Sequence, residues 1–184
     1  MYDQIAKSTW YWFEDSLTYT NSILSEAMLY AWLTNGDLRY QKIAKESFNF
    51  LLSKIFIGNS IHVIPNKIWY LNDLNKLEAI SGGEQPIDVA YTILTLKQFH
   101  AVFPNAAYNE KMEGAFNWFL GDNHLNHIVY NTCTGGCYDG VEEHSVNLNQ
   151  GAESTISYLL SRLAFENIEI ETLHNEMIFP KECI

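Results

Sequence analysis

Apolar residues recur every three or four positions in five stretches of the chain, and this spacing predicts a mostly helical protein. The first helix is stopped by Gly36, after which Asp37 can cap the second. The third begins with Pro86, which suits the first helical position because proline donates no backbone hydrogen bond. The predicted helices cover about residues 21–34, 37–57, 86–103, 105–120 and 152–163.

The apolar positions of the first and fifth helices are expected to face the core, because an amphipathic helix buries its apolar stripe. In the first helix these positions are Ile23, Leu24, Ala27, Met28, Ala31 and Trp32. In the fifth helix they are Ala152, Ile156, Leu159, Leu160 and Leu163. Both stripes are therefore predicted to be buried.

Three stretches lack a helical pattern and are predicted to be loops. Residues 8–18 combine aromatic side chains with two carboxylates, and the aromatic residues are expected to pack or to line a groove. Residues 60–82 hold two short apolar runs around Pro65 that fit a β-hairpin. The long loop 122–149 contains the densest run of glycine, amide and carboxylate groups, and it leads directly into the fifth helix.

An internal repeat organises the helices into pairs. Residues 40–52 and 108–120 both end in a Phe-Asn-aromatic run, and the two runs stand 68 positions apart. The third and fifth helices both open with a glutamine followed three residues later by an acid, at Gln85 and Gln150. Repeated helical hairpins indicate a solenoid or a closed toroid. Long loops on one rim favour the toroid, with a site at one end of its inner helices.

Four segments of the chain, in this order, carry a family resemblance. They are Trp-Phe-Glu-Asp (12–15) with Asn21, Glu-Gln-Pro-Ile-Asp (84–88), Gly-Gly-Cys-Tyr-Asp-Gly (135–140) and Asn-x-Asn-Gln-Gly-Ala-Glu-Ser (147–154). Together they resemble the (α/α)-toroid domain of the six-hairpin glycosidase superfamily, in the version associated with bacterial group 1 glycosyltransferases. The resemblance covers about residues 10–162. The family usually carries Asp-Gln-Gln-Pro where this chain has Gly-Glu-Gln-Pro at 83–86, so the acidic group is displaced.

The resemblance implies an all-α fold, a partial (α/α) toroid of helical hairpins with long loops and a short β-hairpin. A full toroid has six hairpins and roughly twice this length. Residues 1–184 are therefore expected to form one domain that is an incomplete, C-terminal portion of the ring. The implied ligand is a carbohydrate. The implied partners are a glycosyltransferase or a second copy of the chain at the open apolar edge.

Composition narrows the functional classes further. The chain is 47% hydrophobic and 18% charged, which supports a packed core and excludes the disordered class. Its 22 acidic and 11 basic residues give a net charge of −11, so a nucleic-acid partner is not expected. No apolar run approaches the ~20 residues of a membrane span. Three cysteines and an N-terminus without an apolar segment predict a soluble, cytoplasmic protein with reduced thiols.

Carboxylates are the candidate catalytic groups, because glycoside hydrolysis needs two of them. Asp139 stands beside an aromatic residue and a glycine, where burial is expected to raise its pKa for an acid role. Glu84 or Glu153 is expected to act as the base. The alternative is structural, because Asp88 and Glu153 stand in the first turns of predicted helices. A carboxylate there satisfies backbone N–H groups and the helix dipole.

Candidate ligand contacts come from the same segments, because sugar rings stack on aromatic faces and sugar hydroxyls bind amide and carboxylate groups. The set is Trp12, Glu14, Asp15, Gln85, Tyr138, Asn147, Asn149 and Gln150. These residues also have structural alternatives. The aromatic side chains can belong to the core, and amides that precede a helix can tie down a long loop.

Two other functions remain open. A non-catalytic scaffold that docks a glycosyltransferase would expose a large apolar edge and have a filled rim. A sugar epimerase would use His144 as a base that points into the cavity. No cofactor or metal is predicted. A zinc site would need the pair His124 and His127, which is tighter than usual, together with Cys133 and Cys137, and Cys137 is expected to pack as a small apolar residue.

Overall fold

The computed structural model describes residues 1–7, 9–65, 70–71 and 83–178, which form a mostly helical structure. The helices are α1 (Tyr2–Ile5), α2 (Ser22–Asn35), α3 (Leu38–Ile55), α4 (Pro86–Val102), α5 (Ala106–Asn117) and α6 (Ala152–Ile178). A 3₁₀ turn, Trp118–Leu120, continues α5. The five predicted helices are confirmed as α2 to α6. The short α1 was not predicted, and α6 runs beyond its predicted end.

The helix ends follow the capping residues in the sequence. The side chains of Asp37 and Asn105 accept hydrogen bonds from the first turns of α3 and α5. Pro86 occupies the first turn of α4, as predicted. Gly36 ends α2 with φ at 75°, a left-handed conformation that favours glycine, and its N–H donates to the carbonyl of Trp32.

Among the described residues, three antiparallel strand pairs accompany the helices. They are β1 (Ser16–Leu17) with β4 (Tyr70–Leu71), β2 (Phe56–Ile57) with β3 (Ser60–Ile61), and β5 (Gly140–Val141) with β6 (Val146–Asn147). The hairpin predicted around Pro65 is wrong in its pairing, because Ile61 pairs with Phe56 and Tyr70 pairs with Leu17. The glycine turn at Gly58 closes the observed hairpin instead. Residues 66–69 and 72–82 of the predicted loop lie outside the described residues.

Helix α4 lies at the centre of the packing. It packs against α2, α5 and α6, while α3 packs against α2. No residue from Pro86 to His100 is exposed, which is the burial expected of a helix covered by neighbours on several sides. Aromatic rings fill the space between these helices. Phe48 of α3 contacts Phe99 of α4, with ring centroids 4.2 Å apart.

The predicted core face of α6 is wrong, and that of α2 is right only for Met28 and Trp32, which pack partly buried against the core. In α2 the buried residues are Ser22, Ser25 and Leu29. In α6, within residues 152–166, they are Ser154, Ser157, Tyr158, Ser161 and Ala164. Small hydroxyl residues face inward because they let helices approach closely, and their hydroxyls find partners inside: the Ser25 and Ser47 hydroxyls lie 2.9 Å apart. Ile23, Leu24 and four apolar residues of α6 are exposed instead: Ile156, Leu159, Leu160 and Leu163.

Three aromatic side chains of the loop before α2 belong to the core. Trp10, Trp12 and Phe13 are buried, and the ring of Trp12 packs at 5.3 Å from that of Phe13. The prediction that Trp12 contacts a ligand is wrong, because none of its surface is exposed. Its bulk fills the space beside α3, where the ring of Phe50 lies 6.4 Å away.

Candidate functional site

An open cavity of about 320 Å³ lies where the β5–β6 hairpin meets the residues before α4 and the start of α6. Its side chains are polar, and four small residues bring backbone to its surface. The polar lining consists of Gln85, Asp139, Glu142, Asn147, Glu153 and Ser154, and the small residues are Gly83, Gly140, Gly151 and Ala152. Four predicted site residues therefore converge on one cavity: Gln85, Asp139, Asn147 and Glu153.

Backbone hydrogen bonds fasten the hairpin to the entry of α4. The N–H of Glu84 donates to the carbonyl of Val141 at 2.9 Å, and the N–H of Val141 donates back at the same distance. Gly140 is required at this contact, because a Cβ there would stand 2.8 Å from the carbonyl oxygen of Glu84. The hairpin and the α4 entry therefore hold a fixed spacing across the cavity.

Three hydrogen-bond donors hold the carboxylate of Asp139. One carboxylate oxygen accepts from the N–H of Gly151 and the hydroxyl of Ser154, both at 2.8 Å, and the other accepts from the side chain of Asn149. Partial burial pushes the pKa of Asp139 upward, but the hydrogen bonds from Asn149, Ser154 and Gly151 outweigh it and hold the pKa below its ordinary value. The expectation that burial raises the pKa of Asp139 is therefore wrong. The acid role was predicted on that expectation.

Glu84 lies beneath the cavity and does not line it. Its carboxylate accepts from the indole N–H of Trp118 at 2.6 Å, and Nδ1 of His124 stands 3.9 Å from its other oxygen. Burial raises the pKa of Glu84, while the Trp118 hydrogen bond and the nearby His124 and His62 oppose that rise. Its two chain neighbours, Gly83 and Gln85, reach the cavity surface. The structure gives Glu84 a supporting position under the hairpin.

Asp88, which the sequence suggested only as a helix-capping group, has a distinctive environment in the structure. It is 6% exposed, and one oxygen accepts a hydrogen bond from the backbone N–H of Thr20, in the loop before α2. Its observed partner thus belongs to another segment and not to its own helix. Burial raises the pKa of Asp88 to about 7 against the effect of the Thr20 hydrogen bond, and the charges of Glu153 and Glu84 raise it further. Asp88 is the one charged residue among the mostly apolar residues 86–96. This isolated charge is the sequence feature that could have marked it as a functional candidate.

A second, much smaller cavity of about 10 Å³ lies against Asp88 and Ser22. Among the described residues, nothing hydrogen-bonds to Oδ2 of Asp88 or to Oγ of Ser22, although both atoms are buried. Asn21 and Thr92 add further polar groups to the lining. A cavity of this volume fits about one water molecule.

The remaining predicted ligand contacts fall into two groups. Asn149 and Gln150 are tied within the loop, Asn149 to Asp139 and Gln150 to the hydroxyl of Thr134 at 2.7 Å. Tyr138 is half-buried, and its hydroxyl accepts from Asn131 at 3.0 Å. Glu14 and Asp15 are exposed and do not line the cavity. The side-chain oxygen of Asn147 accepts from the N–H of Asn149 at 3.2 Å. All three amides before α6 therefore bond within the loop, as the structural alternative expected, and Asn147 alone among them also lines the cavity.

The histidines and cysteines among the described residues do not gather into one site. His144 stands on the hairpin tip with 86% of its side chain exposed, beside Glu143 at 3.5 Å, and it does not line the cavity. Cys137 is buried, and burial raises the pKa of its thiol to about 12. Within the described part of the chain, no cluster of three or more His, Cys, Asp or Glu residues could hold a metal ion.

Comparison with known proteins adds no relative, since no protein-family model and no curated protein matches this chain. None of the helices in the described ranges combines the length and apolar character needed to cross a membrane.

Proposed function

We propose that this domain binds a neutral carbohydrate in the cavity between the β5–β6 hairpin and the starts of α4 and α6. The observation that carries the proposal is the convergence of Gln85, Asn147 and Glu153 on one open cavity. Amide and carboxylate groups are the partners that sugar hydroxyls need. The volume, about 320 Å³, falls within the range of small-ligand sites.

The charge of the cavity supports a neutral ligand. Asp139, Glu142 and Glu153 contribute carboxylates, and the lining formed by the described residues contains no Lys or Arg. The whole chain carries a net charge of −11, which adds to the negative potential. Uronic acids and phosphorylated sugars would be repelled, whereas a neutral glycan can bind through hydrogen bonds.

For cleavage of a glycosidic bond, we propose that Glu153 is the carboxylate that faces the ligand and that Asp88 is the protonatable carboxyl behind it. Glu153 is exposed at the start of α6 and lines the cavity. Its charge contributes to the raised pKa of Asp88, so the two groups interact. Cleavage of a glycosidic bond uses two carboxyl groups, one of which carries a proton.

We also propose that the helices belong to an (α/α) toroid of the six-hairpin type. Support comes from the packing of α2, α4 and α6 in series, with α3 against α2 and α5 against α4. Stacked helical hairpins produce such a series. The link to a glycosyltransferase pathway and a cytoplasmic location are proposed from the sequence alone.

Docking of a glycosyltransferase by a non-catalytic scaffold is the second candidate function. It is favoured by the apolar residues that α2 and α6 expose, such as Leu33 and Leu163. The open cavity argues against it, because a pure scaffold was expected to have a filled rim. The epimerase alternative has less support, since His144 is exposed beside Glu143 and is not among the residues that line the cavity.

Calorimetric titration with neutral oligosaccharides tests the proposal. Asn147→Ala should weaken binding about tenfold or more, because it removes a hydrogen-bonding group from the cavity. Glu153→Gln should also weaken binding, because it removes the charge and one of the two acceptor oxygens that a sugar hydroxyl can use. Glu143→Gln is the matched control: it neutralises a carboxylate of the same hairpin that lies outside the cavity, and it should bind as the wild type does.

The same titration with uronic-acid counterparts tests the charge argument. The wild type should bind them more weakly than the neutral sugars, and Glu153→Gln should narrow that difference. Equal binding by the wild type and Glu153→Gln would contradict the proposed site. Release of reducing sugar that survives in Glu153→Gln would contradict the catalytic part alone.

A further inference from the structure

Helices α2 and α4 run parallel and begin at the same end of the molecule. At their starts, the backbone N–H of Thr20 donates to the carboxylate of Asp88. At their far ends, the rings of Trp32 and Phe103 stack with centroids 5.4 Å apart. The loop that leads into α2 therefore stands at the same end as the residues before α4, which form one wall of the open cavity.

Two hydrogen bonds connect the loop before α2 to the cavity lining. The carboxylate of Asp88 accepts from the N–H of Thr20, and the N–H of Asp88 donates to the carbonyl of Gln85 at 3.1 Å. Gln85 lines the cavity. Tyr19 is therefore the chain neighbour of a residue that contacts the first turn of α4, directly after the point where this segment reaches the cavity surface.

The backbone next to Tyr19 is held in a strained conformation. Thr20 has φ at 51°, in the left-handed region that β-branched residues rarely adopt. The Asp88 carboxylate holds its N–H, and the side chain of Asn21 bonds to both the N–H and the carbonyl of Thr18 at 3.1 Å. Such strain persists only where the surrounding contacts impose it, and it is concentrated at binding and catalytic sites.

Tyr19 presents an open aromatic side chain on this fixed backbone. It is 55% exposed, and within the described ranges no hydrogen bond or ring contact involves its side chain. An aromatic ring offers an apolar face on which a sugar ring can stack. The cavity itself lacks such a face, since the described residues that line it include no Phe, Tyr or Trp.

We propose that Tyr19 is the stacking platform for a second sugar ring, next to the ring bound in the cavity, so that the site takes a neutral oligosaccharide and not a single sugar. The inference rests on the proposed carbohydrate site and specifies the length of its ligand. The cavity volume, about 320 Å³, is at the lower end of the range of small-ligand sites, so a longer ligand extends beyond its open mouth. The polar lining binds hydroxyls, and Tyr19 supplies the apolar face.

An array of neutral gluco-, galacto- and manno-oligosaccharides of one to four units tests the platform, followed by calorimetric titration with the series that binds best. The wild type should bind chains of two or more units more tightly than the single sugar. Tyr19→Ala should lower the affinity for these chains about tenfold and leave the affinity for the single sugar unchanged, because only the second ring contacts Tyr19.

Two variants control for other effects of the substitution. Tyr19→Phe keeps the ring and should bind the longer chains as the wild type does. Tyr30→Ala removes a tyrosine that is 45% exposed in the second half of α2, away from the helix start, and it should not change binding at any chain length. Circular dichroism confirms that each variant is folded.

The outcomes separate the platform from the proposed cavity site. If Asn147→Ala loses affinity while Tyr19→Ala binds every chain length as the wild type does, the cavity site stands and the platform is overturned. The platform is also overturned if Tyr19→Phe loses as much affinity as Tyr19→Ala, since the hydroxyl and not the ring would then make the contact. A wild type that binds no member of the array overturns the carbohydrate site, and the platform with it.

Discussion

Asp139 and Asp88 are two aspartates with opposite environments. Asp139, on the hairpin side, accepts three hydrogen bonds, and its pKa is held below the ordinary value. Asp88, at the start of α4, accepts one hydrogen bond while buried, and its pKa rises to about 7. A carboxyl surrounded by donors is stabilised as the anion, whereas a buried carboxyl with few donors keeps its proton.

The comparison reverses the roles that sequence context suggested. Asp139, in a glycine-rich loop, had the appearance of a catalytic acid, and it instead anchors the loop that leads into α6. Gly151 is needed for this anchor, since a Cβ there would lie 2.9 Å from the Asp139 carboxylate. Asp88, which had the appearance of a helix cap, is the group whose proton can move near neutral pH.

The largest expected effect is on the pH dependence of stability in Asp88→Asn. The pKa of Asp88 rises from 3.8 to about 7 on folding, so the folded state holds a proton that the unfolded state releases between those values. Wild-type stability therefore loses on the order of 4 kcal/mol from this group as pH rises from about 4 to about 7. Asparagine does not titrate, so the free energy of unfolding of the variant should rise relative to that of the wild type across this pH interval.

Urea unfolding of both proteins between pH 4 and pH 8 measures this difference. The advantage of Asp88→Asn should grow with pH and level off above about 7. If the difference in unfolding free energy between the two proteins stayed constant from pH 4 to pH 8, the proposed contrast between Asp88 and Asp139 would be contradicted.

The next effect is a loss of stability in Asp139→Ala. The substitution leaves the N–H of Gly151, the hydroxyl of Ser154 and the amide of Asn149 without their shared acceptor. The expected cost is about 2 kcal/mol at neutral pH. Because the pKa of Asp139 is lowered on folding, its contribution is present above the unfolded pKa and is lost as pH falls through the folded one.

Urea unfolding again provides the measurement, with Glu143→Gln as the control carboxylate on the same hairpin. The cost of Asp139→Ala should shrink in acid, whereas the cost of the Asp88 carboxylate grows toward alkaline pH. A cost no larger than that of the control would mean that the three hydrogen bonds do not hold the loop.

The smallest expected effect is a shift in the pH at which Asp88 titrates in the stability profile when Glu153 is replaced, in Glu153→Gln. The Glu153 charge contributes to the raised pKa of Asp88, behind the larger effect of burial. Its removal should move the midpoint of the stability profile slightly toward acid and change stability by less than about 1 kcal/mol at neutral pH. An unchanged midpoint would mean that the Glu153 charge does not affect the pKa of Asp88, and it would count against their proposed pairing.

The helices were predictable because local residues determine where each helix begins and ends. Asp37 and Asn105 cap, Gly36 stops and Pro86 starts, and each acts within one turn. The buried faces of α2 and α6 were not predictable in this way. Serines pack inward where helices come close, and that proximity is a property of the assembled fold.

The cavity was predictable in part. Gln85, Asn147 and Glu153 belong to the polar segments that flank the third and fifth predicted helices, and these segments do meet. The protonation of Asp88 and Asp139 was not predictable, because it depends on donors from distant residues. Thr20 lies 68 positions from Asp88, and nothing local indicates that its N–H reaches that carboxyl.

The most direct measurement is a carbon-13 NMR titration of the side-chain carboxyls of Asp88 and Asp139 in the wild-type protein. Assignment can use Asp88→Asn and Asp139→Asn, since each removes one resonance. Asp88 should titrate with a midpoint near 7, and Asp139 should stay ionised to a pH below its ordinary pKa. Two midpoints near the ordinary value of aspartate, about 4, would contradict the contrast between the two carboxyls and the proposed role of Asp88.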